Sequence, residues 1–510
     1  MYFKMKKPYH RILLLLLCLL FLFSACKAKE QENPEGDSII ENAETETENT
    51  KKIRLPYFVQ DGLNPYFAVS AENRALAFLY AEPLYKVKSD YNAEPILALD
   101  CERDGTKMTV TLDTQKFSDG TSISPKDVVY SFQKAKESNW YGARLSKIKS
   151  AKAQKNSVLF ELTEPNIYAE NLLTFPIVKA NSAESQDQIP VGSGPYVLKA
   201  DATAEKNANN LTSSGALQIE LVEIRDFSYL KNALEIGNIS FMFTDFQKGS
   251  YERVVSENTF VTLNNLCYLG INHQAMPLHS AALRTAIFYA IDKEGVASSA
   301  YQGCAEAVSF PVHPDAQKAM ELKTPQTKAD TKKAKDILYK IGYNRKNKDG
   351  LLVHENQTLQ MSVLCNEDNP FRVAAASYIV DTLNELGFSA SLESVPYDTY
   401  LARLQSGNYT LYVGEVKLPE DLDLSAFFGM GSASNYMDSN LPVFASALGW
   451  HRGENTIDVF LEDFLDDMPF VPLCYRDGMA AYEKGLTPDF SMAAYGIPGN
   501  FGAWSMSIPE

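Results

Sequence analysis

The sequence is short of the residues and spacings that metal-dependent or covalent catalysis needs. Its six histidines, His10, His273, His279, His313, His354 and His451, form no H-x3-H pair, and no C-x2-C is present, so the spacing of a protein-ligated zinc site is missing. G-x-S-x-G, H-E-x-x-H and Walker A are all absent, and in the nearest approach to G-x-G-x-x-G, at Gly429-Met430-Gly431, Ser434 stands where the last glycine belongs. Glu420, Asp421 and Asp423 are the one dense carboxylate group with the chemistry for calcium or acid/base work. Their spacing is not that of an EF-hand, and the plain reading is a solvated acidic turn. The seven cysteines, Cys18, Cys26, Cys101, Cys267, Cys304, Cys365 and Cys474, show no repeated short spacing, and setting aside the first two leaves an odd five. That excludes a disulfide framework. Positive charge is scarce as well, with 48 Lys and Arg against 64 Asp and Glu. An acidic surface repels nucleic acid and anionic headgroups, so no nucleic-acid partner is expected.

What is present begins at the N-terminus. Lys4, Lys6, Lys7 and Arg11 precede an apolar run, Ile12 to Phe23, that is too short to span a bilayer and has the form of a signal peptide over residues 1–25. Phe23-Ser24-Ala25-Cys26 resembles the lipobox of bacterial lipoproteins, with Phe23 where Leu is usual, which implies diacylation of Cys26 as the mature N-terminus. Losing four cations with the leader takes the formal charge from −16 to −20, so the membrane link is expected through lipid, not through a basic patch. Residues 26–51 are rich in Glu, Asn, Thr and Lys and nearly devoid of apolar side chains, a composition that cannot offset its ordering entropy. They are expected to form a flexible tether of roughly 25–30 Å.

The remaining chain is longer than one hydrophobic core usually serves, so two or three lobes are expected. Ser118-Asp119-Gly120 reads as a tight turn. It leads into a helix with Ser124 as N-cap, Pro125 at the first position, Asp127 closing a capping box, and Val128, Val129 and Phe132 as its apolar face. Period-two alternation at Met108, Val110 and Leu112 and at Val158, Phe160 and Leu162 predicts strands around that helix, a small α+β lobe. Leu283, Ala286, Ile287, Ala290 and Ile291 follow helical spacing, as do Ala375, Ile379, Leu383 and Leu386 before a terminating Gly387. Strands at Phe388 to Leu392 and Tyr409 to Val413, with a helix from about Asp398 between them, indicate an α/β lobe with a mixed sheet.

Three segments in order, FSDGTSISPKDVVYSF (117–132), IPVGSGPYVL (189–198) and LGINHQAMPLHSAALRTAIFYAIDKEGV (269–296), supported by LNPYF, EPILA, AKDILYKIGY and FVPLCYRDG, resemble the family 5 (peptide/nickel-type) extracytoplasmic solute-binding proteins of ABC importers. The resemblance implies an α/β, periplasmic-binding-protein-like fold: two α/β halves joined by a two-crossing hinge, with an extra inserted α+β lobe. One lobe would comprise residues 52–77, 186–268 and 472–510, carrying an insertion of 78–185, and the other residues 269–471. The crossings would lie near Gly270–Asn272 and Leu473–Arg476, which makes Cys267 and Cys474 the pair to test for a bridge. The expected function is capture of a short peptide between the lobes and delivery to a membrane permease, by a monomer lipid-anchored on the extracytoplasmic face, without catalysis or cofactor. A receptor for a nickel or other metal chelate or for a peptide signal, and more remotely a secreted hydrolase, are the alternatives.

The resemblance also points to ligand contacts. Tyr57 and Phe58 lie at the exit of the first strand and line the cleft unless they belong to the core. Gly414, Glu415 and Lys417 occupy a loop where peptide binders of the family commonly carry Trp and an Asp for the ligand's α-amino group. Here Glu415 is the candidate ammonium partner and Lys417 the candidate for a carboxylate, each with a structural ion pair as its alternative. Asn272, Asn366, Asn435, Tyr436, Tyr475 and Arg476 are further donors at loop or crossing positions.

Overall fold

The computed structural model describes residues 52–199, 201–210, 218–429, 436–492, 497 and 499–507. The leader, Cys26, the tether and Asn435 lie outside the described residues. Two hydrophobic cores organise the body. One joins the strand Ile53–Tyr57, the helix Ala71–Tyr80, the antiparallel sheet of the inserted segment and the C-terminal Phe501 and Trp504. The other holds most apolar side chains from Leu266 to Cys474, together with Val87, Tyr91 and several residues between Ile224 and Val254.

The capped helix forms as its sequence dictates. It runs Pro125–Glu137, the Asp127 carboxylate accepts the Ser124 amide at 2.9 Å, and Val128 and Phe132 are buried against the sheet. The other Asp127 oxygen accepts the Ala180 amide at 2.9 Å, so the cap also pins the chain as it leaves the insertion. The preceding turn places Gly120 at φ +83° and gives the Ser118 amide to Gly192 O at 2.8 Å. Gly192 and Gly194 are required by proximity: a Cβ on Gly192 would lie 2.1 Å from Tyr80 O, and one on Gly194 2.6 Å from Tyr80 C. The two conspicuous motifs are therefore one scaffold joint, which lashes the inserted lobe to the end of the helix Ala71–Tyr80.

The sheets give an α/β architecture. A four-stranded sheet pairs Ile53–Tyr57 in parallel with Ile219–Glu223, then Thr203–Lys206 and Tyr196–Leu198. The insertion carries Ala98–Asp104, Lys107–Leu112, Ser157–Leu162 and Ile148–Ala153 in that spatial order, all antiparallel. The third sheet is mixed and is traversed by two long antiparallel strands, Glu257–Ile271 and Val471–Tyr482. At one end these pair with each other beside Phe241–Thr244. At the other, Asn265 to Ile271 also pairs with Leu411–Lys417, which adjoins Gln360–Asn366, and that strand in turn pairs with Ser389–Val395.

The two expected crossings are thus one continuous ladder. Its handover from the first core to the second falls at the irregularity between Thr262 and Asn265, opposite Arg476 and Asp477, earlier on the outgoing strand than Gly270–Asn272. Such irregularities add local twist and bend a strand. Cys267 and Cys474 face each other directly across this ladder, both fully buried and both as free thiols. The helix Pro370–Leu386 ends on Gly387 in the left-handed region, at φ +105°.

Candidate functional site

Between the two cores opens a cavity of about 1350 Å³, lined from the first half, the inserted lobe and the second half alike. Phe58 is on its wall, held by a pair of hydrogen bonds to Asn73: the Phe58 amide donates to Asn73 Oδ1 at 2.9 Å, and Asn73 Nδ2 donates back to Phe58 O at 2.8 Å. Next to Asn73 on the helix Ala71–Tyr80, the Arg74 guanidinium stacks on Trp140 at 3.7 Å from the ring centroid, while Lys417 Nζ lies 5.0 Å from the same ring. One indole from the insertion thereby meets a cation from each half.

Leu411–Lys417 continues as strand through its last residue because Asn265 pairs with Lys417 and Cys267 with Glu415. Glu415 and Lys417 thus stand on a sheet edge, not in a loop. Alternation along a strand puts both on one face, toward the cavity. Glu415 Oε1 accepts Asn265 Nδ2 at 2.8 Å and Arg476 Nε at 3.1 Å, with Arg476 Nη2 in ion contact at 3.0 Å, and its Oε2 accepts Arg372 Nη2 at 3.2 Å. Burial alone would raise its carboxyl, yet Arg476 and Arg372 together hold it below the ordinary glutamate value. Lys417 is accessible on its cavity side, but the crowding around it lowers its pKa to about 8, against the pull of Asp245 and Glu420. Burial on the opposite wall pushes Glu72 up to about 7.

The acidic group Glu420, Asp421 and Asp423 is not a solvated turn. Arg144 Nη1 meets Glu420 Oε2 at 3.1 Å, and Lys147 Nζ lies 2.7 Å from both Asp421 Oδ2 and Asp423 Oδ2. Asn166 Nδ2 donates to Asp421 at 3.0 Å, and Arg452 grips Glu164 at 2.6 Å. Burial opposes ionisation of Asp421, but Lys147 and His451 beside it hold its carboxyl well below the ordinary value. Residues of the insertion supply Arg144, Lys147, Glu164 and Asn166; the second half supplies the rest. These charges form a clasp between lobes, with no carboxylate left over for calcium or acid/base chemistry.

Of the residues marked in the sequence, the structure brings Phe58, Glu415, Lys417 and Arg476 to the cavity wall. The others sit elsewhere. Tyr57 packs against the first core. Asn272 spends its amide on Gly407 O and Tyr409 O, each at 3.0 Å. Asn366 Oδ1 accepts the Asp368 amide and closes a turn. Gly414 is buried under the Tyr268 ring, 2.7 Å from where its Cβ would be. The Tyr436 hydroxyl donates to Gln405 O and that of Tyr475 to Pro311 O, the latter inside the core. Arg74, Trp140, Asn265 and Arg372 were not marked, and among them only Trp140 carried a signal, as one of three tryptophans in the chain.

A sequence profile of the bacterial extracellular solute-binding proteins, family 5 middle region, matches residues 92–437. The oligopeptide-binding protein AppA of Bacillus subtilis (strain 168) is 23% identical over 321 residues, 58% of this chain and 59% of that protein. The match thus spans less than two thirds of that relative's length. Among solved structures, an ABC transporter substrate-binding protein from Sinorhizobium meliloti superposes with a TM-score of 0.72 at 19% identity, covering 90% of this chain and 100% of the other. A nickel ABC transporter protein from Bacillus halodurans gives 0.70 at 16% identity, covering 86% and 96%. These likenesses show a shared fold.

Proposed function

Because the chain belongs to the bacterial extracellular solute-binding proteins of family 5, we propose that it captures a short peptide between its two halves, closes over it and hands it to the permease of an ABC importer without transforming it. The observation that carries this reading is the cavity of about 1350 Å³ walled by both cores and the insertion. It exceeds the roughly 300–1,000 Å³ of a drug-sized pocket, which leaves room for several residues and bridging water. The expected layout puts 52–77, 186–268 and 472–510 plus the insertion 78–185 on one side and 269–471 on the other; the cores follow it for 52–77, most of the insertion and 269–471, while several residues between Ile224 and Val254 pack with the second core. The leader and Phe23-Ser24-Ala25-Cys26 support a lipid anchor on the extracytoplasmic face, and the chain is expected to act as a monomer. Among the described residues no helix is long and apolar enough to cross a membrane.

Thermal melts of the mature chain with a mixed di- to pentapeptide pool, and in parallel with a nickel–histidine chelate, test the reading, since a ligand that binds only the folded state raises the melting temperature by mass action. Stabilisation by the pool supports peptide capture. Stabilisation by the chelate alone assigns the cavity to the second reading, which the nickel protein of the same fold recommends. No response to either rejects both.

A further inference from the structure

Glu415 stands where an ammonium partner is expected, but its charge is already engaged by two guanidinium groups. A carboxylate offers about four lone-pair positions, and here Asn265 Nδ2, Arg476 Nε and Arg372 Nη2 donate to three of them, at 2.8, 3.1 and 3.2 Å, while Arg476 Nη2 adds an ion contact at 3.0 Å. The two guanidinium groups share this single countercharge. Each also keeps a buried N–H, Arg476 Nη1 and Arg372 Nε, without an acceptor among the described residues. Arg476 is 2% exposed and lines the cavity. Guanidinium cannot shed its charge, so a buried donor of this kind calls for an acceptor from outside the chain.

The surroundings add to the imbalance. Lys417 follows Glu415 on the same strand face, and Arg74 reaches toward it over Trp140. Over its whole wall the cavity carries nine lysines and arginines against seven carboxylates, with Glu72 close to Arg74 and Asp245 close to Lys417 and Arg476. The local sign is the reverse of the chain's own, whose formal charge is −16, so composition does not account for it.

Resting on the reading of the cavity as the ligand site, we infer that its hinge end seats a carboxylate of the bound molecule, with Arg372, Arg476 and Lys417 as the contacts, and so selects acids where an ammonium is expected. Glu415 is then a positioning residue: it fixes both guanidinium planes and takes no part in holding an amine. A C-terminal carboxylate and an acidic side chain present the same chemistry, and paired probes separate them.

The test is isothermal titration of the mature chain with trialanine, its N-acetyl derivative, its C-terminal amide, the amide of Ala-Glu-Ala, and citrate. Expected are binding of trialanine, retention within about threefold on N-acetylation, and a loss of at least about tenfold on amidation, as for a charge-assisted bond removed. Tight binding of the Ala-Glu-Ala amide assigns the group to a side chain. Response to citrate alone keeps the anion site and rejects the peptide reading. Equal affinity for acid and amide overturns the inference and leaves the peptide reading standing, and silence from every probe overturns both. Arg372→Gln and Lys417→Met are each expected to bring the acid-to-amide ratio down at least about fivefold. Lys417→Met, on the open wall, carries the test should Arg372→Gln melt early, and an unchanged ratio in a variant that melts with the parent overturns the assignment.

Discussion

Replacing Lys147 with Met removes one cation and strands two carboxylates. Lys147 Nζ lies 2.7 Å from both Asp421 and Asp423, whose side chains are 0% and 11% exposed. Removing one partner of a buried ion pair costs about 3–5 kcal/mol. Lys147 is itself 23% exposed, and water entering the gap relieves part of that, so the expected loss is about 2–4 kcal/mol. Asp421→Asn keeps the shape and leaves Lys147 to Asp423, for about 1–2 kcal/mol. The double variant is expected to fall short of the sum by at least about 1 kcal/mol, as groups in one network do. Urea unfolding followed by far-ultraviolet circular dichroism reads all three. The acid limb carries the same signature. The folded carboxyl of Asp421 lies below its unfolded value of about 3.9, so its contribution is complete above that pH and drains away below it. In Asp421→Asn that limb is shallower. Since the clasp joins the insertion to the second half, Lys147→Met also weakens the closed state, and the apparent ligand dissociation constant rises as the competent fraction falls. A loss under about 0.5 kcal/mol for Lys147→Met, or strict additivity, would show that the clasp is an ordinary surface network and refute this reasoning.

Ligand affinity is expected to fall as pH rises from about 7 to 9 for an acidic probe: Lys417 gives up its proton around 8, while Glu72, pushed up to about 7, gains a negative charge. Titrations across that range should flatten at the upper end in Lys417→Met, and an unaltered profile there removes Lys417 from the site. Cys267 and Cys474 sit opposite each other in an antiparallel ladder, where Cα separations of about 4.5–5.5 Å lie within reach of a disulfide. Oxidised glutathione in mild urea is therefore expected to cut the five alkylatable thiols of the described body to three, and Cys267→Ser to block that loss; five thiols throughout counts against the pairing. Gly192→Ala drives a Cβ to 2.1 Å from Tyr80 O and is expected to cost at least about 2 kcal/mol, read from urea unfolding. A change within about 0.5 kcal/mol means the joint is looser than its geometry.

What was legible in the chain was local. Ser124, Pro125 and Asp127 complete a cap within four residues, and Gly387 ends a helix by its own left-handed backbone, so both can be read from spacing alone. The site was not legible in that way. Glu415 was marked, but the groups that decide what it does come from Arg372 and from Asn265, 43 and 150 positions away. With them absent from view, a lone glutamate beside a lysine reads as an amine partner. The structure turns it into an internal counter-ion. The same blindness made Glu420, Asp421 and Asp423 look solvated, because Arg144 and Lys147 arrive from 276 and 274 residues away. Amides failed for a different reason: Asn366 closes a local turn, while Asn272 ties together distant backbone at Gly407 and Tyr409, and loop position carried no information about the cavity.

The placement of the triad ties ligand chemistry to closure. Asn265 is the first residue paired after the irregularity in the outgoing strand, and it faces Arg476, where the ladder passes from one half to the other. Both contact Glu415, which belongs to the second half. Arg74 and Trp140, which meet Lys417 at the Trp140 ring, come from the helix Ala71–Tyr80 and from the insertion. A twist of the ladder at the Thr262 to Asn265 irregularity therefore swings the arginine pair relative to Arg74. A ligand carboxylate placed between them is favoured in the arrangement that brings all these cations near, and less so when they part. Since a ligand biases an equilibrium only by its differential affinity for the two states, the proposed carboxylate seat at the hinge would couple occupancy to shutting.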